Sequence, residues 1–239
     1  MDKFLIVGLG NPGDEYAFTR HNTGYMVLDA FAKASDTVFF DRRYGYVAEA
    51  SLRGRKIFLL KPTTYMNLSG NAVRYWLNKE NIDQSRLLVV SDDVALPLGA
   101  FRLKANGSNG GHNGLGHIQQ LIGQQYARLR LGIGNEFPHG SQINWVLGRY
   151  SDEQLEQLQP AIDLAVKIIQ SFVLAGIDIT MNQYNKLGKK PAASPISLIS
   201  PISPISPISP ISPIRPISPI GPISPIRPIG PKEPEGSEH

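Results

Sequence analysis

The chain has 239 residues, a formal net charge of +4 and no cysteine, which excludes disulfides, thiolate metal sites and a cysteine nucleophile. The small basic excess is compatible with a nucleic-acid partner without requiring one. No apolar run approaches the roughly 20 residues of a membrane span, and residues 4–7 are too short for the core of a signal peptide, so a soluble cytoplasmic protein without a membrane partner is expected.

In chain order, the apolar run Phe4 to Val7 reads as a buried strand that stops at a Gly-rich turn, Gly8-Leu9-Gly10-Asn11-Pro12-Gly13. Asn11, Tyr16, Arg20, His21 and Asn22 follow at that strand end, the edge where α/β sheets bind ligands. Met26, Val27, Ala30 and Phe31 have helical spacing. Two apolar runs, 44–52 and 56–60, are joined by Arg53-Gly54-Arg55 as in a hairpin. The loop Lys61-Pro62-Thr63-Thr64-Tyr65-Met66-Asn67-Leu68-Ser69-Gly70 opens a helix with Asn67 or Ser69 near its cap. Leu87-Leu88-Val89-Val90 has the continuous apolar character of a central strand and ends on Ser91-Asp92-Asp93.

A turn at Leu96-Pro97-Leu98-Gly99 leads to a short strand, Phe101-Arg102-Leu103-Lys104. The loop 106–114 leads to a helix bearing Leu115, Ile118 and Ile122, and Arg128-Leu129-Arg130-Leu131-Gly132-Ile133 is a further strand. Ser151-Asp152-Glu153-Gln154 is a capping box opening a long helical region. Strands alternate with helices, so the expected fold is a single three-layer α/β/α domain over residues 1–190 with a mixed, mostly parallel sheet. From Pro191 the chain becomes a Pro-Ile-Ser repeat holding most of the 19 prolines, and its Arg and Lys are balanced by its Glu. Residues 191–239 therefore form a tail with no long-range apolar pattern to build a core, expected to be disordered or semi-rigid.

Gly8-x-Gly10-x-x-Gly13 also satisfies a dinucleotide fingerprint. Pro12 has no N–H to offer a pyrophosphate. The acidic residue that should close the second strand is misplaced too: Asp36 precedes Val38-Phe39-Phe40 and Asp41 comes late. No nucleotide cofactor is expected. What remains is a set of strand-end loops carrying Asn11 with His21, Met66 with Asn67, and Asp92 with Asn113. A histidine within reach of a carboxylate makes a general base of fixed orientation. Asparagines supply donors and acceptors that can grip a peptide or polarise a carbonyl. Caps and solvated turns would use the same residue types.

Residues 5–13, Thr19-Arg20-His21-Asn22, 61–70, Ser91-Asp92 and 107–115 occur in the order found in bacterial-type peptidyl-tRNA hydrolase, and the chain resembles that family over about residues 3–187. The resemblance implies hydrolysis of the ester joining a peptide to the 3′-terminal ribose of tRNA, with no metal or cofactor, by a monomer. It implies His21 as catalytic base, Asp92 as the carboxylate orienting it, and Asn11, Asn67 and Asn113 as groups holding substrate and water. Tyr16 and Met66 match pocket residues, and Arg102 and Lys104 match tRNA-backbone contacts. Acceptor-stem phosphates would pair with Arg102, Lys104, Arg128 or Arg130. His112 reads as structural or as a phosphate contact.

Two positions depart from the pattern: Ala95 stands where many relatives have a second acid, and Gly116-His117 where many have a basic residue. The competing function is an RNA-binding protein that kept the fold and lost turnover. For the tail, proline at every third position removes backbone donors and excludes helix and central strand. Truncation after Lys190 is expected to leave the melting temperature and hydrolysis rate unchanged. A shift of several degrees, or a several-fold rate change, would overturn the passive tail.

Overall fold

The structure, a computed structural model, describes residues 2–189; the repeat tail lies outside them. Seven strands form one sheet: β1 (Lys3–Gly8), β2 (Phe40–Arg42), β3 (Gly45–Leu52), β4 (Arg55–Pro62), β5 (Leu87–Asp93), β6 (Phe101–Lys104) and β7 (Ala127–Gly132). Their order across the sheet is β2-β3-β4-β1-β5-β7-β6. The four central strands, β4, β1, β5 and β7, run parallel, and antiparallel strands flank them on both sides. Six helices accompany the sheet: α1 (Thr23–Ala34), α2 (Ser69–Glu80), α3 (Asn113–Ile122), α4 (Gln142–Leu147), α5 (Asp152–Ala175) and α6 (Ile177–Tyr184).

The continuous apolar runs are explained by two cores, one on each face. Alternate residues of a strand point to opposite faces, so Phe4 and Ile6 of β1 and Leu88 and Val90 of β5 join α1 and α5 in one core. Leu5, Val7, Leu87 and Val89 join α2 and α3 in the other. A sheet covered on both faces needs apolar residues at every position of its central strands. β7 departs from this: Leu129 and Leu131 enter the first core, while Arg128 and Arg130 alternate with them.

The β3–β4 hairpin turns on Arg53 and Gly54, both at positive φ, the geometry that matches strand twist in two-residue hairpins. At α5, the Ser151 hydroxyl accepts the Gln154 N–H, and the Gln154 side chain accepts the Ser151 N–H, closing the expected capping box. By length and apolarity α5 could cross a membrane, but half of its most apolar 18 residues is buried in the protein.

Three elements are invisible to periodicity. β2 has three exposed residues, α4 has six residues and none buried, and α6 is cut from α5 by Gly176 at φ 82°. None carries an apolar pattern long enough to register.

The end of β1 meets the start of α1 at two glycines. A Cβ on Gly8 would lie 2.2 Å from the Gly24 carbonyl oxygen, and one on Gly24 would lie 2.4 Å from the Leu9 nitrogen. The first glycine of the fingerprint-like turn therefore serves strand–helix packing. Two 3-10 turns, Asp14–Tyr16 and Arg20–Asn22, stand between Gly13 and α1, so no helix opens on that turn to cradle a phosphate. Gly24→Ala is expected to force backbone apart and destabilise by about 1–3 kcal/mol, lowering the melting temperature by roughly 2–12 °C in a domain of this size. An unchanged thermal melt would show that the contact is slack.

Candidate active site

The site is assembled where β1, β4 and β5 end. After β1, Asn11 is clamped by Asn22, whose side-chain oxygen accepts the Asn11 N–H and whose amide donates to the Asn11 carbonyl, both at 2.9 Å. Asn11 passes this order on: its side-chain oxygen accepts the Met66 N–H at 2.8 Å, fixing the loop after β4. Its Nδ2 is left without a partner among the described residues.

Arg20 anchors the turn that carries His21. Its guanidinium stacks 3.8 Å over Trp145 and donates to the Trp145 carbonyl and the Gln154 side chain. The capping glutamine of α5 thus also holds the residue next to His21. On the other side of His21, Thr23 donates to the Arg20 carbonyl, which leaves the buried Tyr150 hydroxyl to donate to Thr23 Oγ1 at 2.7 Å.

Asp92, near the end of β5 and 2% exposed, receives two histidines. His21 Nδ1 lies 3.0 Å from both carboxylate oxygens, and His112 Nε2 lies 2.9 Å from Oδ1. The hydrogen-bond pattern assigns the tautomers. His112 Nδ1 accepts the Gly114 and Leu115 N–H groups at the start of α3, so its proton sits on Nε2 and is donated to Asp92. His21 donates from Nδ1, and its Nε2 keeps a lone pair with no partner among the described residues. Burial by itself would raise the Asp92 carboxyl; the neighbouring imidazoles of His21 and His112, both hydrogen-bonded to it, outweigh that effect and hold Asp92 well below the usual carboxylate range. Asp93 makes no hydrogen bond to either imidazole; it pairs with Arg130 Nε at 3.1 Å and accepts the Ala95 N–H.

His21, His112, Asn113, Arg130, Ile143 and Val146 line a cleft of about 300 Å³ beside this cluster. Asn113 is the first residue of α3. Asn67 is exposed in the 3-10 turn before α2, where no side chain caps the helix. Asn67 and Ser69 stand on either side of the N-cap Leu68, near the cap as expected, but neither side chain caps the helix: Ser69 Oγ donates to the Met66 carbonyl, and the Asn67 side chain makes no hydrogen bond among the described residues. Met66 is buried against Gly114, and Tyr16 is half-buried in the first 3-10 turn.

Arg102 and Lys104 are exposed, alternate residues of β6. Arg128 departs from its expected role: it is 1% exposed, stacks 4.3 Å over Tyr126 and donates to the Ser108 carbonyl at 2.7 Å, so its guanidinium is occupied in holding the loop before α3. Arg130 borders the cleft, tied to Asp93. His112 emerges as a partner of Asp92 that spacing does not reveal; its place beside Asn113 is the one signal in the sequence that points to it. Ile143 and Val146 of α4 escape a sequence reading because six residues carry no periodic signal. His21 Nδ1, the Asp92 carboxylate and His112 Nε2 lie within 4.8 Å of one another and could hold a metal ion, but in these tautomers both imidazole protons occupy the space between them.

A family model described as peptidyl-tRNA hydrolase matches residues 5–193. The chain is 62% identical over 185 residues to the peptidyl-tRNA hydrolase of Phocaeicola vulgatus, covering 77% of this chain and 99% of that one. The chain belongs to the peptidyl-tRNA hydrolase family. The Bacteroides fragilis peptidyl-tRNA hydrolase is 58% identical with the same coverage. The crystal structure of the Acinetobacter baumannii peptidyl-tRNA hydrolase superposes with a TM-score of 0.74 at 36% identity, covering 79% of this chain and 96% of that one.

In this family member the depressed Asp92 carboxyl has a measurable consequence. A carboxyl titrating lower in the folded than in the unfolded chain adds stability above the unfolded value of about 3.9 and loses it as pH falls toward the folded one. Between about pH 4 and pH 2 the melting temperature of the wild type is expected to fall more steeply than that of Asp92→Asn. Parallel slopes would mean that Asp92 is not held ionised by its two imidazoles.

Proposed function

We propose that this peptidyl-tRNA hydrolase cleaves the ester between the peptide and the 3′-terminal ribose of tRNA with a water activated by His21. One observation carries the assignment: His21 donates a hydrogen bond from Nδ1 to the buried, ionised Asp92, and its Nε2 lone pair has no partner among the described residues. That nitrogen takes a proton from water as the oxygen attacks the ester carbonyl. The imidazolium formed is stabilised by the Asp92 carboxylate behind it and returns the proton to the departing ribose oxygen. An ester already has an adequate leaving group, so an activated water suffices and no covalent enzyme intermediate is required.

Asn11 Nδ2 and the exposed amides of Asn67 and Asn113 are assigned to the carbonyl, the peptide and the water. Pre-placed donors of this kind stabilise developing oxyanion charge. His112 has both ring nitrogens engaged and is assigned no proton transfer. Arg102 and Lys104 are assigned to phosphates of the acceptor stem, giving affinity without sequence reading. The cleft-side Arg130 is the third candidate on that track; Arg128 is not.

His21→Ala is expected to lower multiple-turnover release of peptide from N-blocked aminoacyl-tRNA by about 10²–10⁴-fold while tRNA affinity persists. Retention of more than about a tenth of the rate would overturn the base assignment, and a wild type that binds tRNA without turnover would identify an RNA-binding protein on this fold. Asp92→Asn should lower kcat more than it raises KM, because the carboxylate acts mainly in the transition state. Asp93→Asn, which loses only an ion pair to Arg130, should do much less. Equal effects would mean that Asp92 is the wrong member of the pair or that both aspartates act through folding.

Replacing Arg102 and Lys104 by alanine should raise KM for peptidyl-tRNA and flatten its salt dependence, by a little under one unit of log–log slope for each phosphate no longer neutralised. An unaltered slope would place the tRNA elsewhere.

A further inference from the structure

The hairpin joining β2 to β3 turns on Arg43 and Tyr44, since Arg42 pairs with Gly45. Tyr44 holds φ at 66°, left-handed backbone at a turn position that glycine or asparagine ordinarily fills. A tyrosine is strained there, and the fold does not recover the cost by burying the residue, which is 37% exposed. The strain instead sets the ring against Tyr75, edge to face at 5.3 Å, with the Arg43 guanidinium 5.2 and 5.3 Å from the two ring centroids.

Tyr75 comes from the outer side of α2, where Asn71, Arg74 and Asn78 flank it at helical spacing. Lys79 closes the end, its ammonium 4.2 Å over the Trp76 ring. Together these residues line a groove of about 450 Å³ with no carboxylate in its wall. Arg43, Arg74 and Lys79 make no ion pair among the described residues, whereas Lys3, Lys56, Lys61 and Arg86 each do.

Tyr44 is exposed and Tyr75 half-buried; cations without ion-pair partners beside such aromatic rings are the combination that binds single-stranded nucleic acid, phosphates on the cations and base faces on the rings. An acidic peptide would use the cations and leave the rings idle. We propose that the groove between the Arg43–Tyr44 turn and α2 binds a short stretch of single-stranded RNA, with phosphates on Arg43, Arg74 and Lys79 and a base on Tyr44 and Tyr75. The choice of RNA over DNA rests on the proposed activity. The surface is separate from Arg102 and Lys104, because β4, β1, β5 and β7 lie between β3 and β6. It begins one loop from Asn67, since the Tyr44 carbonyl accepts the Thr63 N–H at 3.0 Å.

The test is fluorescence anisotropy of a labelled ten-nucleotide oligouridylate on the full-length protein across a salt series. The triple variant Arg43→Gln, Arg74→Gln, Lys79→Gln should lose at least about tenfold in affinity, and its log–log salt slope should flatten by about two, at roughly 0.7 per single-strand phosphate. Tyr44→Gly should weaken binding several-fold while melting at the same or a higher temperature, since glycine relieves the turn. Wild-type affinity and slope in the triple variant would overturn the proposal. So would loss of binding in the Arg102→Ala, Lys104→Ala variant instead, or displacement of the RNA by oligoglutamate as effectively as by unlabelled RNA. Because the readout needs no turnover, its failure leaves the hydrolytic assignment standing, and failure of hydrolysis leaves this readout intact.

Discussion

A carboxylate taken out of water must be compensated by the groups around it or give up its charge. Asp92 is buried and stays ionised because two imidazoles donate to it. That requirement organises the centre of the protein. It sets His21 with its Nδ1 proton inward and its Nε2 lone pair outward, and it needs a second donor, which His112 provides. His112 can donate only from Nε2 because the first turn of α3 places two backbone N–H groups on its Nδ1. One helix terminus thereby fixes the tautomer of one histidine, and through the shared carboxylate supports the other.

The loops around this centre are tied to one another more than to solvent. Asn22 clamps the backbone of Asn11, and Asn11 clamps the backbone of Met66, so the first and second strand-end loops are joined by hydrogen bonds. Arg20 ties the His21 turn to Trp145 and to the capping glutamine of α5. His117 accepts the Gly70 N–H, linking the start of α2 to α3. Polar side chains are thus spent on holding the site, and Asn11 Nδ2 and the Asn67 and Asn113 side chains, which make no hydrogen bond among the described residues, are the ones assigned to substrate. Such support by neighbouring hydrogen bonds is what keeps a catalytic constellation in register.

Charge on the surface follows the same division. Arg128 belongs to the basic strand by sequence but is buried and engaged with a loop carbonyl, whereas Arg102 and Lys104 remain in solvent on the edge strand. The edge of β6 is itself covered: Asn185 uses its side-chain amide to pair with the backbone of Leu103 from both directions. This satisfies an otherwise open strand without a further strand and leaves the outward side chains of β6 exposed.

Sequence alone determined what depends on neighbours in the chain. Apolar runs marked the central strands, helical spacing marked α1 to α3, Ser151 and Gln154 capped α5, and Arg53-Gly54 closed a hairpin, because each is a local rule of backbone and burial. The phrases around His21, Asn67 and Asn113 were specific enough to resemble one family, which supplied the pairing of His21 with Asp92 that spacing cannot. Tertiary structure decided what depends on residues brought together from afar. His112 and Asp92 are 20 positions apart, Asn11 and Met66 are 55, and Arg20 and Gln154 are 134. No periodicity encodes such contacts. Whether an arginine turns inward, as Arg128 does, or a glycine serves packing rather than a phosphate, as Gly8 does against Gly24, is settled only by what stands opposite it in the folded chain.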